Sequence, residues 1–340
     1  MNPIRDEKRT ELNTLSRREW ITSVAAGASA LGVAACAQSP QAEKPSAAKL
    51  QTEVFDAHVH IWTPDTENYP LADGFTTDDF WIPSYTVEDL MAQARPAGVT
   101  RVNFVQMTWY GLDHKYILDV IASDPEHFVG TGIIPAIRDV ALADQGDTML
   151  ALAKGGIYAF RVRGRGAQPP SCVVDSRWMD QPGYHTMFKT GGEHNLALSF
   201  LMPARDLPEV DRMCTEYPDT PVILDHFCLI GTGNRFDEDE IDALCRMARH
   251  HRVMVKMGAF YALGSKQPPY LDVLPLIRRV VDAFGPERCM WESDAPLNRW
   301  DTGHVFEDSV ALVRDHADFL SVSDREQILT KTAENFFFNR

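Results

Sequence analysis

The chain reads as a single-domain (β/α)8, or TIM, barrel of the α/β class, and three observations predict it. Short apolar, β-branched runs recur eight times at intervals of roughly 25 to 45 residues, each followed by a stretch of helical periodicity. The length of 340 residues holds a barrel of about 250 residues together with a targeting segment and loop insertions. Polar residues stand at the ends of several of the apolar runs, where barrel enzymes carry their chemistry.

The strands are expected at Val54–Trp62, Val99–Gln106, Phe128–Pro135, Ile157–Gly164, Leu196–Met202, Val222–Phe227, Val253–Gly258 and Arg288–Asp294. Such a series suits a closed barrel better than an open sheet. Among the intervening helices, Val87–Ala94 follows Thr86, Asp237–His250 begins acidic and ends basic, and Leu271–Phe284 is closed by Gly285-Pro286. Acidic starts and basic ends complement the helix macrodipole. No internal repeat is visible, and no glycine-rich phosphate loop of the GxGxxG or GxxxxGKS/T kind, which argues against nucleotide and dinucleotide binding.

Residues 1–36 stand outside this pattern. Ser16-Arg17-Arg18-Glu19-Trp20-Ile21 places two arginines ahead of a small, apolar stretch from Ile21 to Ala35, which looks like a twin-arginine export signal. A membrane-spanning helix needs about 20 consecutive apolar residues, and this stretch is shorter and rich in Ala, Gly and Ser. Val33-Ala34-Ala35-Cys36 resembles a lipobox, which implies a periplasmic protein tethered to the membrane through a lipidated Cys36. Ordinary cleavage at a nearby small-residue site, leaving a soluble protein, is the alternative. Residues 37–52 form a flexible linker of Ala, Pro, Ser, Gln and Lys, and residues 53–340 the barrel.

Beyond Cys36 the cysteines are Cys172, Cys214, Cys228, Cys245 and Cys289. An odd number without short regular spacings is neither a disulfide framework nor a zinc-finger pattern. The formal charge is −15, and no run of Lys and Arg stands out that would neutralise a row of phosphates. A small-molecule substrate is expected, and not a nucleic acid.

Strand side chains alternate with period two, so in the first strand Asp56, His58 and His60 share one face and Phe55, Ala57, Val59 and Ile61 the other. With the apolar face against the helices, the polar set points into the barrel. Two histidines at i and i+2 can reach one divalent ion, Zn²⁺ being the usual choice. The eighth strand ends Trp291-Glu292-Ser293-Asp294-Ala295-Pro296. When the barrel closes, Asp294 becomes a neighbour of His58 and His60, able to ligate a metal or take a proton from water. Its plain structural alternative is a cap before Pro296.

In the sixth strand His226 shares a face with Val222 and Leu224, so Asp225 faces the other way, and His226 becomes a donor aimed at substrate. In the fourth strand Arg161 and Arg163 share the face of Ile157 and Ala159 and line the mouth. Two guanidiniums there bind substrate carboxylates or polarise a carbonyl, the alternative being structural salt bridges at the rim. The long segment Thr63–Pro83, with Trp62 before it and Tyr69, Phe75, Phe80 and Trp81 within it, forms either a lid over the mouth or a satellite core under a loop.

The segments DAHVHIW (from Asp56), LDHF (from Leu224), VKMGAF (from Val255) and WESDAP (from Trp291), in this order, resemble the amidohydrolase superfamily, in the branch of fuconolactonase, pyrone-dicarboxylate lactonase and aminocarboxymuconate-semialdehyde decarboxylase. The resemblance spans about Glu53 to Arg340 and includes the Glu334-Asn335-Phe336-Phe337 end. It implies that His58 and His60 are the first-strand histidines, His226 the sixth-strand histidine and Asp294 the eighth-strand acid. The fourth strand has no Lys to bridge two metals, and the fifth, Leu196–Met202, has no His. The implied site is mononuclear, held by His58, His60 and Asp294, or metal-independent. The branch often has Gly where this chain has Glu292, which shares the face of Asp294 and either adds a ligand or disturbs the site.

The expected activity is hydrolysis of a lactone of a sugar acid or of an aromatic breakdown product. Asp294 takes a proton from water, His226 with the first-strand histidines or their metal stabilises the oxyanion, and Arg161 and Arg163 hold the substrate. A non-oxidative decarboxylase is the alternative within the same superfamily, disfavoured by the missing fifth-strand His. A lipid-tethered binding protein without catalysis is a further alternative, against which the presence of all four site residues counts.

Overall fold

The computed structural model describes residues 53–134, 145–167, 177–297 and 303–340, which form one compact unit. The expected export signal, lipobox and linker lie outside the described residues, as does Cys172.

Eight strands appear in sequence order around the sheet, every neighbouring pair parallel. They are β1 (Val54–Val59), β2 (Val99–Val105), β3 (Phe128–Gly132), β4 (Ile157–Arg163), β5 (Ala197–Leu201), β6 (Val222–Leu224), β7 (Val253–Met257) and β8 (Cys289–Trp291). A seam of single backbone bonds brings β8 back to β1. Asp294 N–H donates to His58 O (3.0 Å) and His60 N–H to Ala295 O (3.0 Å). The barrel of the sequence reading is thus present, with each strand shorter than expected at its C-terminal end.

A helix follows each strand: α1 (Val87–Ala94), α2 (Lys115–Ser123), α3 (Gln145–Ala153), α4 (Pro182–His194), α5 (Leu207–Glu216), α6 (Glu238–Arg246), α7 (Leu274–Phe284) and α8 (Phe306–Ala311). Local chemistry sets their ends. Thr86 and Asp89 make a reciprocal capping box at the start of α1. The Asp237 carboxylate accepts the N–H groups of Asp239 and Glu240 at the start of α6, which passes into a 3-10 turn at Met247. Gly285 ends α7, while Leu271–Val273, expected as its first turn, is a separate 3-10 turn.

The floor of the barrel is apolar. Phe55, Ala57, Val129, Ala159, Ala197, Ile223 and Met290 pack together there with Phe336 and Phe337 of the C-terminal helix Thr332–Phe337. This corrects the expected face assignment in β1: Phe55 and Ala57 point inward, and Asp56 does not share the inward face of His58 and His60. A bulge is the cause. Between the pairs Asp56↔Val102 and Val59↔Phe104, β1 spends one more residue than β2, and an extra residue reverses the facing of the side chains beyond it. Asp56 instead staples the seam, accepting N–H bonds from Ser293 (2.9 Å) and His58 (3.2 Å). Burial pushes its carboxyl up to about 7, against those hydrogen bonds.

Candidate active site

Above the apolar floor the interior turns polar, with side chains from β1 and from β4 to β8 and the turns that follow them. His60 is set by a bond between Nδ1 and the carbonyl of Val105 (2.9 Å). That bond assigns the proton to Nδ1 and leaves a lone pair on Nε2. Nε2 faces Asp294 Oδ1 at 3.4 Å. Burial holds the His60 ring down to about 4, more than Asp294 raises it, so the ring is neutral. A neutral lone pair and a carboxylate oxygen are both acceptors. A water placed before them donates one O–H to each.

Asp294 lies just past β8 in the left-handed region, φ 57°, a conformation few non-glycine residues adopt and one that recurs at functional sites. It turns the carboxylate from the strand direction toward β1. Tyr261, in a 3-10 turn after β7, donates its O–H to Asp294 Oδ2. Oδ1 is left toward the two histidines, 3.7 Å from His58 Nε2.

His58 is fully buried and held from both sides. Its Nε2 accepts a hydrogen bond from Arg161 (2.7 Å), so Nδ1 carries the proton. Nδ1 lies 3.1 Å from Glu292 Oε2 and 3.7 Å from Asp225 Oδ1. Burial, then the cations Lys256 and Arg161, lower the pKa of His58 and keep it neutral. The contact to Glu292 Oε2 is close but lies off the hydrogen-bond direction.

The sixth strand differs from the expected alternation. β6 ends at Leu224, and the chain runs through four successive residues of positive φ, His226 to Leu229. Asp225, expected to face away, points into the site. Its Oδ1 accepts from Ser199 Oγ (2.8 Å) and pairs with Lys256 Nζ (3.2 Å), and its Oδ2 accepts from Arg161 (3.4 Å). Burial opposes its charge, but Lys256, His58 and Arg161 together hold its pKa well below the usual carboxylate range. His226 enters the site as expected, but by the left-handed turn and not by strand parity. Glu292 Oε1 lies 2.6 Å from its Nδ1. Burial pulls the pKa of His226 down, yet the carboxylates of Glu292 and Asp294 outweigh it and raise the value, favouring the imidazolium.

Arg161 of the expected substrate clamp spends one nitrogen, Nη2, on His58 and Asp225, while its buried Nε has no hydrogen-bond partner. Arg163 lies one alternation further up β4, and burial followed by repulsion from Arg161 lowers it to about 10. The aromatic segment divides as well. Trp62 is buried with Phe80 and Trp109 around it, while Trp81 is 43% exposed and packs edge-on against His60 at 5.8 Å. Tyr69 packs edge-on against Tyr116 at 4.9 Å.

Ligand atoms of His58, His60 and Asp294 lie within 4.8 Å of one another, as do those of His58, His226 and Glu292, so by reach either group could hold one divalent ion. Their bonding does not fit that role as folded. The His58 lone pair on Nε2 is occupied by Arg161, and the Lys256 ammonium stands 3.4 Å from its Nδ1, so two cations border the site. A metal at His58, His60 and Asp294 would be left with His60 Nε2 and Asp294 Oδ1, short of the three protein ligands usual in a catalytic zinc site. Lys256, Ser199 and Asp225 had no role in the sequence reading. The signal for Lys256 was a lysine in an otherwise apolar strand, a residue type rarely buried unless paired.

The pattern of the amidohydrolase family matches this chain over residues 55–338. The chain belongs to the amidohydrolase family. Its relatives within reach of sequence comparison include the L-fucono-1,5-lactonase of Burkholderia ambifaria, 25% identical over 72% of this chain and 80% of the relative. The 2-pyrone-4,6-dicarboxylate hydrolase of Comamonas testosteroni is 25% identical over 73% of this chain and 78% of the relative. Among solved structures, a Burkholderia multivorans amidohydrolase with bound zinc superimposes with a TM-score of 0.66 at 21% identity, covering 84% of this chain and 99% of that one. At that identity the likeness speaks for the barrel fold alone.

Proposed function

We propose that this amidohydrolase hydrolyses a small lactone bearing an anionic group, without a metal ion in the reaction. The observation that carries this reading is the facing of Asp294 Oδ1 and His60 Nε2 at 3.4 Å, two acceptors to which a nucleophilic water would donate. The named activities of its relatives, both of them ring-ester hydrolases, support it.

The chemistry follows from the residues. Asp294 Oδ1 takes a proton from the water as its oxygen attacks the lactone carbonyl, with Oδ2 fixed by Tyr261. The carbonyl π bond becomes an oxyanion, stabilised by the neighbouring His226 imidazolium. When the carbonyl re-forms, the ring C–O bond breaks and the leaving alkoxide receives the proton from Asp294, which returns to its carboxylate form. Arg163 binds the anionic group at the rim, and Trp81 covers the ring.

The test is acid release measured by pH-stat across a panel of sugar-acid lactones and pyrone carboxylates. Stoichiometric ring opening is expected, and Asp294→Asn should lower kcat by roughly 10²–10⁴-fold. Near-normal turnover by that variant would refute the base assignment. Evolved CO₂ without ring-opened acid would assign a decarboxylase instead.

We further propose that the enzyme works in the periplasm after twin-arginine export, tethered through a lipidated Cys36. Fractionation of the host should place it with membranes, and Cys36→Ser should release it to the soluble periplasm. A soluble wild-type protein would remove the tether.

A further inference from the structure

The eighth-strand residue Glu292 touches no reacting atom in the proposed lactonase mechanism, yet its carboxylate is fully buried in the middle of the site. Burying a carboxylate is costly unless its partners repay the lost hydration. Its Oε1 holds a single residue twice, through the Nδ1 of His226 at 2.6 Å and through the backbone N–H of His226 at 3.1 Å. The second bond pins the first of the four left-handed residues, φ 52°. A carboxylate only accepts, so the Nδ1 it touches carries a proton and Nε2 is the nitrogen left for substrate. Oε2 of the same carboxylate approaches His58 Nδ1 to 3.1 Å, so Glu292 spans both histidines.

The neighbouring strand makes room for this. Gly258 follows β7, and a Cβ built on it would fall on the carbonyl oxygen and Cγ of Glu292 and 2.7 Å from its carbonyl carbon. Positions 258 and 292 are a matched pair: the missing side chain on one lets the acid of the other reach across to His226.

We infer that Glu292 is a positioning residue, forming with His226 a carboxylate–imidazole dyad that locks the ring with Nδ1–H inward and Nε2 toward the scissile carbonyl. The kinetic part of this inference rests on the lactonase reading; the dyad does not. A merely structural acid would be replaced without loss by the isosteric amide, whereas a dyad needs the charge and the acceptor.

Two measurements decide it. On a turned-over lactone, Glu292→Gln should keep a cooperative melt and lower kcat by roughly 10–100-fold, the usual effect of losing a partner that orients a site histidine. KM should move by less than about threefold. In a His226→Ala background the same substitution should cost less than about twofold, because its target is gone. Equal losses in both backgrounds, or full activity of Glu292→Gln, overturn the dyad. If no lactone is turned over, the functional reading fails alone, and ¹⁵N-histidine NMR still reads the dyad. Wild type should show an exchange-protected Nδ1–H that disappears in His226→Ala and is thereby separated from those of His58, His60 and His114. Its absence from wild type overturns the inference, also where Glu292→Gln does not fold.

Discussion

Arg161 donates to His58 Nε2 over 2.7 Å and so takes the lone pair through which the first-strand histidine would bind a metal. Arg161→Met removes both that competitor and one positive charge. Zinc affinity, measured by competition with a chromophoric chelator, should rise by about tenfold or more, the effect of relieving roughly 1.4 kcal/mol of repulsion. Unchanged or weaker zinc binding would show that Arg161 does not guard the site.

Lys256 and Asp225 form a buried ion pair at 3.2 Å, both fully buried. Removing one partner of such a pair leaves the other charge uncompensated. Lys256→Met should therefore destabilise the protein by about 3–5 kcal/mol in denaturant unfolding, reduced to the extent that Arg161 and Ser199 still hold Asp225. A variant as stable as wild type would mean that those two partners suffice.

Gly258→Ala places a methyl group against the backbone carbonyl of Glu292 as well as its side chain. A loss of about 1–3 kcal/mol is expected from the forced separation of β7 and β8, seen as a lower melting temperature. Adding Glu292→Gly should restore only part of it, since the carbonyl remains. Complete restoration would place the whole clash on the side chain.

His114 gives the clearest pH dependence of stability away from the site. Its Nδ1 bonds the carbonyl of Leu112 (2.9 Å) and its Nε2 accepts the N–H of Ile133 (2.9 Å), which occupies both nitrogens in the neutral form. Burial lowers its pKa below the ordinary 6.5. Between the lowered folded value and 6.5 the unfolded chain binds the extra proton, so stability rises with pH there. The contribution is complete above about pH 6.5 and fades as the pH falls. In urea titrations from pH 5 to 8, His114→Gln should flatten this slope, and an unaltered slope would assign it elsewhere.

The barrel was legible because apolar runs and helix signals repeat eight times, and chemistry at strand ends follows from that architecture. His58, His60, His226 and Asp294 were found that way and do converge. Strand parity failed where the ladder stops being regular. The bulge in β1 turned Asp56 out and Phe55 in, and the left-handed turn after Leu224 turned Asp225 in. Neither leaves a mark in a pattern of alternating polarity, because both depend on how the neighbouring strand registers. Arg161 was placed on the right face, but its bonds to His58 and Asp225 were not foreseen. Only the crossing of the barrel shows that His58 and Asp225 lie within its reach.

The seam that closes the barrel is made by the residues that do the chemistry. Ser293 and Asp56, bonded there, stand 237 residues apart in the chain. Contacts that distant form only after the intervening chain has been organised. Turnover is therefore a reporter of complete folding: a chain with seven strands in place has every side chain of the site except those that bring the site together.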